Sequence, residues 1–268
     1  MKNLIMNQLR GDKIFESLDL EIYLKSLSKI KNADKLVLTD KSVSEANIAK
    51  LKSIYDIVIF GEVSYYYVYY LFLDIVKQYY KDYDYILYID TRDVIIQKNP
   101  FDYMISKPDI DLFLVCEGMK IEENDINMYW HQLLKSTQIF HHKDSEELPV
   151  VNGGTFGGKS KDVLYHLLLA VTNANRKSDG IIPDQAIYTD MNYFMSDLKD
   201  VEYCHPYTST FCATGEAIKR DNINVNFVNG EVCNENNEPY FMFHQWDRTE
   251  YAEQIRHKFK NGNLRFTI

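Results

Sequence analysis

The chain has 268 residues, a net charge of -9 and a pI near 5.3, enough length for one large α/β domain with a sizeable core. It carries no Lys/Arg run or basic stripe, which argues against nucleic-acid binding through general electrostatics and leaves any anionic ligand to be met locally, by a metal or a few placed cations. The four cysteines, Cys116, Cys204, Cys212 and Cys233, show no CxxC pair or metal-finger spacing, so reduced thiols are expected. The N-terminal "MKNLIMNQLRGD" lacks a signal-peptide core and no window reaches the ~18 apolar residues of a membrane span, so the expectation is a soluble, cytoplasmic chain.

In chain order, residues 4–9 ("LIMNQL") read as a strand, with Gly11 and Asp12 in the turn. Residues 14–30 follow at helical spacing, with Phe15, Leu18, Leu20, Tyr23, Leu24 and Leu27 broadly on one side. Residues 34–40 and 55–60 read as strands around a helix at 44–53, capped near Ser42 or Ser44. Residues 64–80 ("SYYYVYYLFLDIVKQYY") form a helix apolar almost all round, which predicts that it is largely buried. Strands at 85–90 and 111–117 complete the series. A β-α-β-α-β-α-β order predicts a parallel sheet wrapped by helices and puts Asp90 at the carboxyl end of a strand, where open α/β sheets bind ligands. Beyond residue 118 the pattern is less regular. Glycines 153, 154, 157 and 158 crowd one segment, helices are expected at 162–173 and from Pro183, and 223–228, 229–232 and 239–246 alternate short strands and turns.

The chemistry concentrates where an apolar strand runs into Asp90, Arg92 and Asp93 and then resumes as Val94, Ile95 and Ile96. Two carboxylates there are costly unless compensated. A divalent cation shared with phosphate oxygens would compensate them, and so would capping of the next loop or pairing with Arg92. The glycine run either lets the backbone pass close to a ligand or makes a structural turn. Asp184 and Gln185 open a helix, where an acid complements the helix dipole or serves a reaction.

Five segments fall in one order: "DTRDVIIQKNPF" (90–101), "LVCEG" (114–118), "VNGGTFGG" (151–158), "PDQAIYTD" (183–190) and "FHQWDR" (243–248). Together they resemble the GT-A fold nucleotide-sugar glycosyltransferases, over about residues 4–248. The resemblance implies an α/β, Rossmann-like, mostly parallel sheet flanked by helices, with a smaller mixed C-terminal part. It implies a single catalytic domain, 1–118 binding nucleotide and 119–268 binding sugar and acceptor. The activity implied is transfer of a hexose or related sugar from a UDP- or GDP-linked donor to a glycan or other hydroxyl acceptor. A membrane would then be met only through the acceptor. Mn²⁺ or Mg²⁺ is the implied cofactor, held by Asp90, Asp93 and His244. Asn7, Asp90, Arg92 and Arg248 would meet the nucleotide, though Asn7 reads more readily as a plain turn residue and Arg248 equally as a surface cation. Glu117, Asn152, Gly153, Gly154 and Gln185 would meet sugar or acceptor, Trp130 would join them or the core, and Asp184 would be catalytic.

Two departures stand out. The acidic box is D-x-x-D rather than D-x-D, which leaves open which carboxylate takes the metal directly, and residues 64–80 lack the arginine many such enzymes place there. The competing readings are a catalytically inactive GT-A-like glycan-binding or scaffold module, and a sugar-nucleotide nucleotidyltransferase. The latter would open with a Gly-rich phosphate loop where this chain reads "NQLRGDKIF". A haloacid-dehalogenase phosphatase would need its acids soon after the first strand.

Overall fold

The computed structural model describes residues 1–61, 68–136, 147–174, 184–191, 193 and 200–267, without the side chains of 68, 133–136, 173–174, 184 and 190. Its strands are β1 (Asn3–Leu9), β2 (Asp34–Thr39), β3 (Ile57–Phe60), β4 (Tyr85–Ile89), β5 (Val94–Ile96), β6 (Leu112–Lys120), β7 (Pro149–Lys159), β8 (Val201–Cys204), β9 (Cys212–Thr214), β10 (Asn226–Val228), β11 (Glu231–Cys233) and β12 (Met242–His244). A seven-stranded sheet runs in the order β3-β2-β1-β4-β7-β6-β8, parallel throughout except for β7, which is antiparallel to both neighbours. It takes strands from both sides of residue 118.

The helices are α1 (Leu18–Leu27), α2 (Glu45–Lys52), α3 (Val68–Tyr79), α4 (Pro100–Ile105), α5 (Asp125–Ser136), α6 (Ser160–Ala174), α7 (Asp184–Asp190), α8 (Gly215–Arg220) and α9 (Ala252–Lys260). β1 and β4 are buried on both faces because both are covered. Leu4 and Met6 pack with Phe72 and Val76 of α3 and Val163 and Leu167 of α6. Ile5, Leu9, Leu87 and Ile89 pack with Leu20, Tyr23 and Leu24 of α1.

Local chemistry explains three differences from the sequence expectation. The helix expected over 14–30 is two pieces, a 3₁₀ turn at Lys13–Glu16 and then α1, because Ser17 adopts an extended conformation and its side chain accepts from the Asp19 N–H as an N-cap. The described part of the helix expected at 64–80 is not buried all round: Asp74, Lys77 and Gln78 leave it an exposed stripe. The glycine run is not a turn but the middle of β7. A Cβ on Gly158 would lie 2.2 Å from the Asp111 carbonyl oxygen, and one on Gly157 would lie 2.9 Å from Leu87 Cδ1, so the neighbouring strands approach a backbone that has no side chain there.

A second sheet, β5-β12-β9, carries the C-terminal segment back to the stretch that follows β4: β12 runs antiparallel to β5, with His244 opposite Val94, and parallel to β9. Gln97, fully buried, fastens this return by donating to the Val232 and Tyr240 carbonyls (both 2.9 Å) and accepting from the Val232 N–H (2.6 Å). α9 is tied to α1 by Arg256, whose Nε and Nη2 each lie 2.8 Å from an Asp19 oxygen and whose guanidinium stacks over Trp246. β10 and β11 form a hairpin across Asn229 and Gly230, both at positive φ. The four cysteines are buried free thiols, and among the described residues no helix is long and apolar enough to cross a membrane.

Gly158→Ala forces a Cβ against backbone that no rotamer change can move. It is expected to cost about 2–3 kcal/mol in stability, measured by chemical denaturation. An unchanged denaturation midpoint would contradict the close strand approach.

Candidate active site

A cleft of about 1100 Å³ opens at the carboxyl ends of β1 and β4. This is where the strand order of the parallel half reverses, the position at which such sheets bind ligands. Immediately after β4, the Asp90 N–H donates to the Gly154 carbonyl (2.7 Å) and its Oδ1 accepts from the Tyr88 hydroxyl (2.9 Å). Burial, reinforced by the Asp90 charge, pushes the Tyr88 phenol well above its ordinary pKa, so it stays a donor. Thr91 anchors the loop to the end of β1 through Oγ1 to the Gln8 carbonyl (2.9 Å). The chain then turns within three residues, the Asp93 N–H donating to the Thr91 carbonyl (2.8 Å) with Arg92 between them at φ 70°. This is the γ-turn of positive φ, the rarer and strained form. It turns Asp93 inward, leaving it only 6% exposed.

His244 arrives through the β5–β12 pair. Its Nδ1 lies 3.2 Å from the Thr155 hydroxyl, and its Nε2 lies 3.8 Å from Asp90 Oδ2 and 3.8 Å from Asp93 Oδ1. The hydroxyl orients the ring so that the other nitrogen addresses the two carboxylates. Gly154 is the floor of this cluster: a Cβ there would fall 2.3 Å from Asp90 Oδ2 and 2.7 Å from His244 Cε1. Arg92 pairs with Asp247 (3.2 Å) and Arg248 with Glu216 (3.1 Å), holding both guanidinium groups on the cleft wall. Burial and then the charge of Asp93 raise the Asp247 pKa, against the pull of Arg92 and Arg248.

Beside the cluster, Glu117 of β6 is 4% exposed, and three carboxamides donate to it: Asn152 (2.8 Å) and Gln245 (3.1 Å) to Oε1, and Gln185 (2.9 Å) to Oε2. The network is continuous with Gly154, whose N–H donates to Asn152 Oδ1 (2.8 Å), and with Asn127, which accepts from Gln185 (3.3 Å). Gln245 reaches it from a left-handed conformation, φ 57°.

The structure thus gathers Asp90, Arg92, Asp93, His244 and Arg248 on one cleft with Glu117, Asn152, Gly153, Gly154 and Gln185, and half-buried Trp130 joins them. Asn7 is not among them. It has no exposed surface, and its amide donates to the Ile89 carbonyl (3.0 Å), tying β1 to the end of β4. Asp184 is the first residue of α7, next to Gln185, and its side chain lies outside the described residues. Sequence reasoning missed Gln245, although it sits inside "FHQWDR", and missed Arg10 and Lys13, which line the cleft just past β1 where the topology rule would have directed attention. Asn127 carried no signal.

No protein-family model matches the chain, and no curated protein matches its sequence significantly. Solved structures do match. The galactosyltransferase LgtC, crystallised in complex with donor and acceptor sugar analogues, superposes with a TM-score of 0.56 at 16% identity, covering 96% of this chain and 95% of that one. The apo structure of mouse xyloside xylosyltransferase 1 gives a TM-score of 0.50 at 14% identity, with 80% and 87% covered. The chain has a GT-A glycosyltransferase fold.

In that fold the donor set of Asp90, Asp93 and His244, two carboxylates and one imidazole, suits a divalent cation such as Mn²⁺ or Mg²⁺. Among the described residues no group of three or more His, Cys, Asp or Glu side chains is arranged to hold a metal ion. His244 Nε2 stands 3.8 Å from each carboxylate, so an ion held there would need further oxygen ligands. A Cβ on Gly154 would fill the space between Asp90 and His244 that an ion held by them would need. Gly154→Ala is therefore expected to keep the fold and weaken Mn²⁺ binding by about tenfold or more, read by titration calorimetry. Wild-type Mn²⁺ affinity in that variant would remove Gly154 from the site.

Proposed function

We propose that the chain transfers a sugar from a nucleotide-diphosphate sugar, UDP- or GDP-linked, to a hydroxyl of a glycan or other acceptor, with Mn²⁺ or Mg²⁺ as cofactor. The observation that carries this is the meeting of Asp90, Asp93 and His244 over Gly154 at the switch point of a GT-A fold. The neighbour crystallised with donor and acceptor sugar analogues supports the same reading.

The roles follow from chemistry. A cation held by Asp90, Asp93 and His244 would supply charge stabilisation to the departing diphosphate. Arg92 and Arg248 are cations fixed in place by Asp247 and Glu216, so they can meet growing negative charge with little reorganisation. Arg10 and Lys13, on the wall after β1, serve the nucleotide end. Asn152, Gln185 and Glu117 offer donors and acceptors to sugar hydroxyls. Asp184, one residue before Gln185, is the proposed carboxylate at the reacting centre. It would act as a base on the attacking hydroxyl or as a partner to an oxocarbenium-like centre.

Hydrolysis and transfer should be assayed over UDP- and GDP-sugars with Mn²⁺ and with EDTA. Turnover should vanish in EDTA, and Asp93→Ala should lower it on the order of 10²–10³-fold while the protein stays folded. Wild-type turnover in Asp93→Ala, or full turnover in EDTA, would contradict the assignment.

A further inference from the structure

Resting on the reading above, we infer that Glu117 and its three carboxamides make the donor-sugar subsite selective for an uncharged, hydroxyl-rich ring and exclude hexuronates. Position comes first. Asn152 is hydrogen-bonded to Gly154, the floor under Asp90 and His244, and Gln245 directly follows His244 in the chain. A sugar joined to the distal phosphate of a nucleotide held at those groups meets this network next.

The chemistry of the network is neutral apart from one carboxylate. Carboxamides present both N–H donors and carbonyl acceptors, which matches hydroxyl groups. Ile126 and Trp130 of α5, with Met119 of β6, line the same cleft and add apolar surface suited to the C–H faces of a sugar ring.

Charge decides the selectivity. Among the described residues, the side chains that hydrogen-bond Glu117 are all neutral amides. The cations on the cleft are placed for other work: Arg10 and Lys13 follow β1, Arg92 is paired with Asp247, and Arg248, whose charge is felt at Glu117, is paired with Glu216. A sugar carboxylate seated here would face a buried like charge, and at roughly 5 Å in a protein environment that repulsion alone is worth on the order of 10²-fold in affinity. A neutral hexose or pentose would not meet it.

The test compares kcat/KM of the full chain with Mn²⁺ for UDP-xylose, UDP-glucose and UDP-galactose against UDP-glucuronate and UDP-galacturonate, and for GDP-mannose against GDP-mannuronate, with binding of each measured by calorimetry. The best uncharged donor should exceed its uronate by about 100-fold. In folded Glu117→Gln the discrimination should narrow at least about tenfold, because the like charge is gone while the shape is kept. A uronate used as well as or better than the uncharged donors would overturn the inference alone, as would an unchanged ratio in folded Glu117→Gln. If that variant does not fold, the wild-type ratio decides by itself. Binding of no nucleotide sugar at all would overturn the glycosyltransferase reading and this inference with it.

Discussion

Asp93 is a carboxylate with almost no access to water, and among the described residues its ion-pair partners, Arg92 Nη2 and His244 Nε2, both stand 3.8 Å away. Burying a charge at that depth requires compensation. Much of the local geometry is explained by the need to bring partners to that one place. The backbone accepts a positive-φ turn at Arg92 to point Asp93 inward, and another left-handed residue at Gln245 just after His244. The strand beneath gives up its side chain at Gly154. The raised pKa of Asp247 shows the same field from a neighbour's side, with burial first and the charge of Asp93 second.

That requirement also explains why the C-terminal segment returns to the N-terminal half. His244 reaches Asp93 only because β12 pairs with β5, the strand that begins at the residue after Asp93. The pairing is defended in depth. Gln97 closes three hydrogen bonds onto the returning segment, Trp246 is fully buried, and Arg256 bridges to α1. Most of the "VIIQKNPF" box is thus architectural: Val94, Ile95 and Ile96 are buried in β5, Gln97 is a clasp, and Asn99 and Pro100 start α4, with the Asn99 side chain accepting from the Phe101 N–H.

Where the signal is local, the sequence was readable. The alternation of apolar strands with helices predicted the parallel sheet, the cap expected at Ser42 or Ser44 is Ser44, and the short strands and turns expected over 223–232 are β10 and β11. The convergence of Asp90, Asp93 and His244 was foreseeable through resemblance, because the order of the five segments carried it. What failed was decided by tertiary contact. Four glycines argue against a strand by propensity, yet β7 needs Gly154, Gly157 and Gly158 because β4, Asp111 and the Asp90–His244 pair approach its backbone. Asn7 looks the same in sequence whether its amide meets a ligand or the Ile89 carbonyl. Asn127 and Gln245 gain meaning only from Glu117, on another strand, where their networks meet.

The central claim is that Asp90, Asp93 and His244 together form a cation centre, and crystals soaked with MnCl₂ and UDP test it most directly through anomalous scattering at a wavelength where manganese absorbs. A single strong peak is expected among these three side chains above Gly154, contacting diphosphate oxygens. A diphosphate bound in the cleft with the manganese peak elsewhere, or with none, would contradict it.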